Sequence, residues 1–162
     1  MIDKDLISDE ASTPPTDAQI RECADAALSL IRFSANSRKM LDEKLIKKGY
    51  GKEVVKIALD NLEKGGFIND KQLLNAHAYR LATVKMYGKY RIRLDLCRKF
   101  YKETVNKYLD SALEDVNFEE YAEKLALTYA SYGKTYVASK LRRNGYTTQE
   151  IRYAIRDLKD DD

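Results

Sequence analysis

The sequence predicts an all-α protein built from three tandem three-helix repeat modules in an elongated, curved array. Three observations predict it. The only prolines, Pro14 and Pro15, precede residue 16, so the rest of the 162-residue chain lacks that helix breaker. All seven glycines fall where apolar periodicity pauses, the places where a helix ends in a left-handed residue. Finally, a phrase of an apolar residue, a basic pair and a closing tyrosine occurs three times, as LIKKGY, LCRKFY and LRRNGY from Leu45, Leu96 and Leu141, at offsets of 51 and 45 residues.

Residues 1–16 carry few large apolar side chains and end in TPPT, which predicts a flexible tail before a helix start at Thr16 or Asp17. That start opens a helix over 17–33. Ser37, ahead of RKMLDEKL, caps a second helix over 37–48. Gly49 and Gly51 separate it from a third over 52–64, which Gly65 and Gly66 end. Asn69 starts a helix over 70–86; Gly88 divides it from one over 89–100, and a helix over 102–114 follows. Asn117 with Glu120, and Thr147 with Glu150, have the spacing of capping pairs and open helices over 117–131 and 147–159, with a helix over 134–144 between Gly133 and Gly145.

The repeat turns this list into an architecture. In the second helix of each module Leu41 and Leu45, Ile92 and Leu96, and Val137 and Leu141 lie four residues apart and share a face. Counting from the closing Tyr50, Tyr101 and Tyr146, the third helices match at Ala58, Leu109 and Ala154, and again at Leu62, Leu113 and Leu158. The expected modules are 17–67, 68–114 and 115–162, the last ending in a short acidic tail. A three-helix unit this small hides only part of its apolar surface, so neighbours must complete the core.

The charge distribution says more than the net +3. Residues 70–113 hold ten bases against four acids, whereas 1–17 hold one against five. The basic middle suggests an anionic partner or an acidic protein surface; a solvated, salt-bridged helix surface is its commoner cause. Cys23 and Cys97 are isolated and read as reduced thiols, with no metal-ligand spacing. MIDKDLISDE lacks the basic and apolar regions of a signal peptide, and no apolar run approaches the ~20 residues that span a bilayer. A cytoplasmic monomer without a membrane partner is expected.

Three segments then resemble a known family: KGGFINDKQLLNAHAYR over 64–80, YGKYRIRLDL from Tyr87, and LRRNGYTTQEIRYAI from Leu141. They are similar to the RecX regulators of the RecA recombinase, in the same order, over roughly residues 20–159. The most specific piece is Gly66, Phe67, Ile68, Asn69 and Asp70, matching a glycine, two large apolar residues and an acidic pair that opens the next helix. Phe100 and Leu74 depart from the family pattern, which has a glycine and a small residue there. The resemblance implies a non-enzymatic modulator that binds RecA filaments on single-stranded DNA, usually as an inhibitor lodged in the filament groove, with roles in recombination, DNA repair and the SOS response.

Helical geometry identifies the surface. With Ile92 at zero and about 100° per residue, Arg98 and Arg91 fall together near 240° and 260°, on the face opposite the seam. Repeat equivalents of Arg98 are Lys47 and Arg143, so each module carries a cation at one outward position; equivalents of Arg91 are Met40 and Tyr136, large side chains suited to contact. Such a row suits a periodic anionic polymer, although cations at helix C-termini also offset the helix dipole. Lys89, Arg93 and Lys99, interleaved with Tyr87, Tyr90 and Tyr101, extend the patch in the middle module, and Lys140 and Arg142 flank Arg143. His77 is the only histidine and no phosphate-binding glycine loop occurs, so no catalytic group, cofactor or metal site is expected. The reading is a regulatory interaction protein for RecA filaments with weak, salt-dependent contact to single-stranded DNA; alternatives are a direct, non-specific nucleic-acid-binding repeat protein and a helical scaffold for another partner.

Overall fold

A computed structural model describes residues 13–159. Most of the tail expected over 1–16, and Asp160 to Asp162 of the acidic terminus, lie outside the described residues. Nine α-helices and one short 3₁₀ turn make up the described chain, with no strand. They are α1 (Asp17–Phe33), α2 (Arg38–Lys47), α3 (Lys52–Lys64), α4 (Asp70–Thr83), α5 (Lys89–Lys99), α6 (Lys102–Ala112), α7 (Phe118–Thr128), α8 (Lys134–Arg143) and α9 (Thr148–Ala154), with the 3₁₀ turn at Ala130–Tyr132.

Five of the helix starts are capping residues that the sequence singles out. Thr16 and Gln19, and Thr147 and Glu150, form reciprocal capping boxes. Ser37, Asn69 and Asn117 each accept from the N–H three residues on. Each such bond satisfies a donor that the first helical turn leaves unpaired, worth ~1 kcal/mol.

Three helix ends fall short of expectation by three residues or more. α4 stops at Thr83 rather than 86, because Met86 takes a left-handed conformation (φ 51°) and the Tyr87 N–H turns back to the Leu81 carbonyl. α7 stops at Thr128 and tightens into the 3₁₀ turn. α9 stops at Ala154, beyond which the chain runs in turns, with Arg156 paired to Glu123 of α7 at 2.8 Å.

Packing follows the sizes of the side chains. The buried faces of α1, α4 and α7 are largely small, with Cys23 and Ala27, Ala78 and Ala82, and Ala122 and Ala126 fully buried. Small faces let another helix approach closely, and the helices they admit are α3, α6 and α9 respectively. The middle helices α2, α5 and α8 close the clusters with the seam pairs Leu41 and Leu45, Ile92 and Leu96, and Val137 and Leu141, all buried. Each fully buried leucine or isoleucine contributes about 1.5–3 kcal/mol. Phe100 is also fully buried, in an extended conformation (φ −122°) that needs no glycine, so this family departure places a large ring in the α4–α6 core. Leu74, the other departure, enlarges the same core.

Candidate partner-binding surface

The cations picked out by the repeat lie on α2, α5 and α8, and these helices meet end to end. At the first meeting, the Ser37 hydroxyl that caps α2 donates a short hydrogen bond to the Lys99 carbonyl at the end of α5. Lys39 Nζ donates to the Cys97 carbonyl at 2.9 Å, and the Tyr101 hydroxyl donates to the Asp42 carboxylate at 2.5 Å. Nearby, the Arg38 N–H donates to Asp70 Oδ1 at 2.9 Å, tying α2 to the start of α4. Burial pushes the Asp70 carboxyl above its ordinary range, against the lowering effect of that N–H.

At the second meeting, the start of α5 faces the end of α8. The Gly88 N–H donates to the Asn144 carbonyl at 2.8 Å, and the Tyr90 N–H to the Gly145 carbonyl at 3.3 Å. Donors left over by one helix start are thereby satisfied by carbonyls left over at another helix end, with the dipoles head to tail. The Tyr146 hydroxyl donates to the Met86 carbonyl at 2.8 Å, anchoring the left-handed residue that ends α4. Tyr101 and Tyr146, which close the second and third phrases, thus both reach back to the preceding group of helices.

Between and beyond these joints Lys47, Arg98 and Arg143 are all exposed. The Arg98 side chain is 81% exposed and stands 3.6 Å from Asp95, a loose surface pair of little energetic weight. Among the described residues, Lys47 and Arg143 have no carboxylate partner.

The other sequence-selected residues divide by role. Arg91 parts from Arg98: its guanidinium lies 4.3 Å over the Tyr87 ring and donates to the Arg143 carbonyl at 3.4 Å, so Arg91 and Tyr87 brace the second joint. Lys89 pairs with Asp110 at 2.8 Å, and Arg93 donates a short hydrogen bond to Asn106, turning both toward α6. Lys99 and Arg142 are exposed. Lys140 lies 5.1 Å over the ring of Tyr129, which itself neighbours Tyr132 and Tyr136. Tyr136 is among the residues the sequence selects, but its grouping with Tyr129 and Tyr132, and both joints, escaped sequence reasoning. Spacings of three and four residues from Tyr129 to Tyr132 to Tyr136 were the available signal for the first.

His77 lies in a cleft of about 240 Å³ that also contains Asp95, Arg98 and Lys99. Burial, aided by Lys99 and Arg80, lowers its pKa, and its ring meets Phe100 edge-on at 6.2 Å. Among the described residues no cluster of His, Cys, Asp or Glu is arranged to hold a metal ion, and no helix is long and apolar enough to cross a membrane.

No family model matches the chain. Regulatory protein RecX of Chlorobium limicola is 35% identical over 88 residues, covering 52% of this chain and 53% of the relative. Regulatory protein RecX of Clostridium botulinum is 30% identical over 107 residues, 66% of this chain and 50% of the relative. The chain thus spans about half the length of these curated relatives. The crystal structure of RecX from Lactobacillus salivarius superposes with a TM-score of 0.68 at 21% identity, covering 88% of this chain and 98% of that one. A second crystal structure, of a regulatory protein RecX, gives 0.74 at 19% identity over 86% and 73% of the two chains. These structural likenesses are likenesses of fold.

Proposed function

We propose that the chain is a regulatory protein of the RecX type, which its likeness to curated RecX proteins supports, and that it binds filaments of the RecA recombinase on single-stranded DNA and inhibits them. The observation that carries this reading is the end-to-end line of α2, α5 and α8 with exposed Lys47, Arg98 and Arg143. In this reading the helices over 17–67, 68–114 and 115–162 are three copies of one unit, and each copy offers one cation to a polymer that is itself periodic. Lysine and arginine in such a row meet phosphates or acidic side chains of the filament, arginine with two parallel hydrogen bonds. The protein acts by occupying the filament, as a cytoplasmic monomer with no turnover of its own.

Co-sedimentation tests the reading. The chain is mixed with RecA assembled on single-stranded DNA, with RecA alone and with DNA alone. Pelleting that requires the assembled filament is the expected result. Pelleting with DNA alone that is equally strong and falls steeply with salt identifies a direct nucleic-acid binder instead.

A further inference from the structure

The start of α5 is covered by the end of α8, and the other end of α8 follows directly on the 3₁₀ turn at Ala130–Tyr132. At that end the chain places tyrosines. Tyr132 and Tyr136 lie 5.0 Å apart between ring centroids and are 66% and 38% exposed, and both rings stand about 6 Å from Tyr129 beneath them. Tyr136, Lys140 and Arg143 follow at four and three residues, so one face of α8 runs from aromatic to cationic. The helix has four cations and no acid, and among the described residues no carboxylate pairs with Lys140, Arg142 or Arg143.

We propose that this face of α8 is a binding site for single-stranded nucleic acid, with unpaired bases stacking on Tyr132 and Tyr136 and the adjoining phosphates on Lys140 and Arg143. Every base has a π-face, so two exposed rings bind without sequence preference, and Lys140 and Arg143 beside them track the backbone. Charge selects this occupant: a strip of cations without an acid complements a polyanion. The inference deepens the filament reading and rests on its premise that the cations of α8 face a partner. It places DNA contact on the last helix group.

The test uses the full chain and a short fluorescein-labelled oligo(dT), without RecA, followed by anisotropy at low salt. An abasic oligonucleotide of equal length serves as the second probe. Tyr132→Ala with Tyr136→Ala is expected to weaken oligo(dT) binding about tenfold or more. Tyr132→Phe with Tyr136→Phe keeps the rings and should bind within about twofold of the parent. The abasic strand should bind the parent about as weakly as oligo(dT) binds the alanine variant. Circular dichroism checks that both variants keep the parent's helicity; should the alanine variant lose it, Tyr136→Ala alone is used with the same expectation of direction. Equal binding by parent and alanine variant overturns the site, as does absence of oligo(dT) binding by the parent. Loss of RecA inhibition by the alanine variant with oligo(dT) binding unchanged also overturns it, assigning the tyrosines to a protein contact while leaving the filament reading intact. The converse, normal oligo(dT) stacking with no effect on RecA, sinks the filament reading and leaves this site standing.

Discussion

Gly88 and Gly145 meet backbone to backbone where α5 begins and α8 ends: a Cβ on Gly88 would overlap the carbonyl group of Gly145, and one on Gly145 would overlap the backbone of Arg91. Gly49, the counterpart of Gly145 in the first phrase, shares its left-handed backbone (φ 100° against 88°) but has open space where a Cβ would stand. The two positions therefore separate conformational strain from steric closure of a joint.

Gly49→Ala should cost about 1–2 kcal/mol, the strain of a left-handed alanine. Gly145→Ala should cost clearly more, since the added methyl must also push α5 away. Thermal or urea unfolding of the two variants measures the difference. Equal losses would mean that the second joint contributes nothing to stability.

The tyrosines at the joints predict an alkaline transition. Burial, then the hydrogen bond to Asp42, pushes the Tyr101 hydroxyl up from 10.0 to about 12, and burial pushes Tyr146 up as well. Both are neutral when folded, and the unfolded chain loses its phenolic protons first. Below about pH 10 these groups add no pH dependence; above it, stability falls as pH rises toward about 12. Tyr101→Phe with Tyr146→Phe should lower stability at neutral pH by about 1–3 kcal/mol and flatten the alkaline decline. Melting temperatures followed across that range check both parts, and an unchanged alkaline slope would contradict the assignment.

Leu96→Asp tests the packing of the middle helices. Leu96 is 1% exposed, within the cluster formed by α4, α5 and α6. An aspartate there is an unpaired buried charge, so several kcal/mol should be lost and the middle helices should melt early. A variant with the parent's melting curve would show that the seam is misassigned.

Much of this fold was legible in the sequence because its punctuation is local. Ser37, Asn69, Asn117 and Thr147 cap the helices they precede, and such caps need only residues within one turn. The fully buried Leu41, Leu45, Ile92 and Leu96 follow from a four-residue spacing. Helix ends were less legible where distant partners set them: Met86 is left-handed with its carbonyl held by Tyr146, a residue of another helix group. The surface divides in the same way. Arg98 is exposed as its position on the helix implies, whereas Arg91, on nearly the same side, is drawn into a joint by Tyr87 and the Arg143 carbonyl. Periodicity gives the direction of a side chain from its own helix and carries no information about which neighbour arrives there.

The most direct test of the central claim is ATP hydrolysis by RecA on single-stranded DNA, titrated with the parent chain and with the Arg98→Glu, Arg143→Glu double variant. Both positions are exposed, so helicity and melting should stay close to the parent's. The account predicts that the parent suppresses hydrolysis and that the double variant needs about tenfold more protein for the same effect, the loss of two charge-assisted contacts. Hydrolysis unaffected by the parent would contradict regulation of the filament, and equal suppression by both proteins would remove the row of cations from the mechanism.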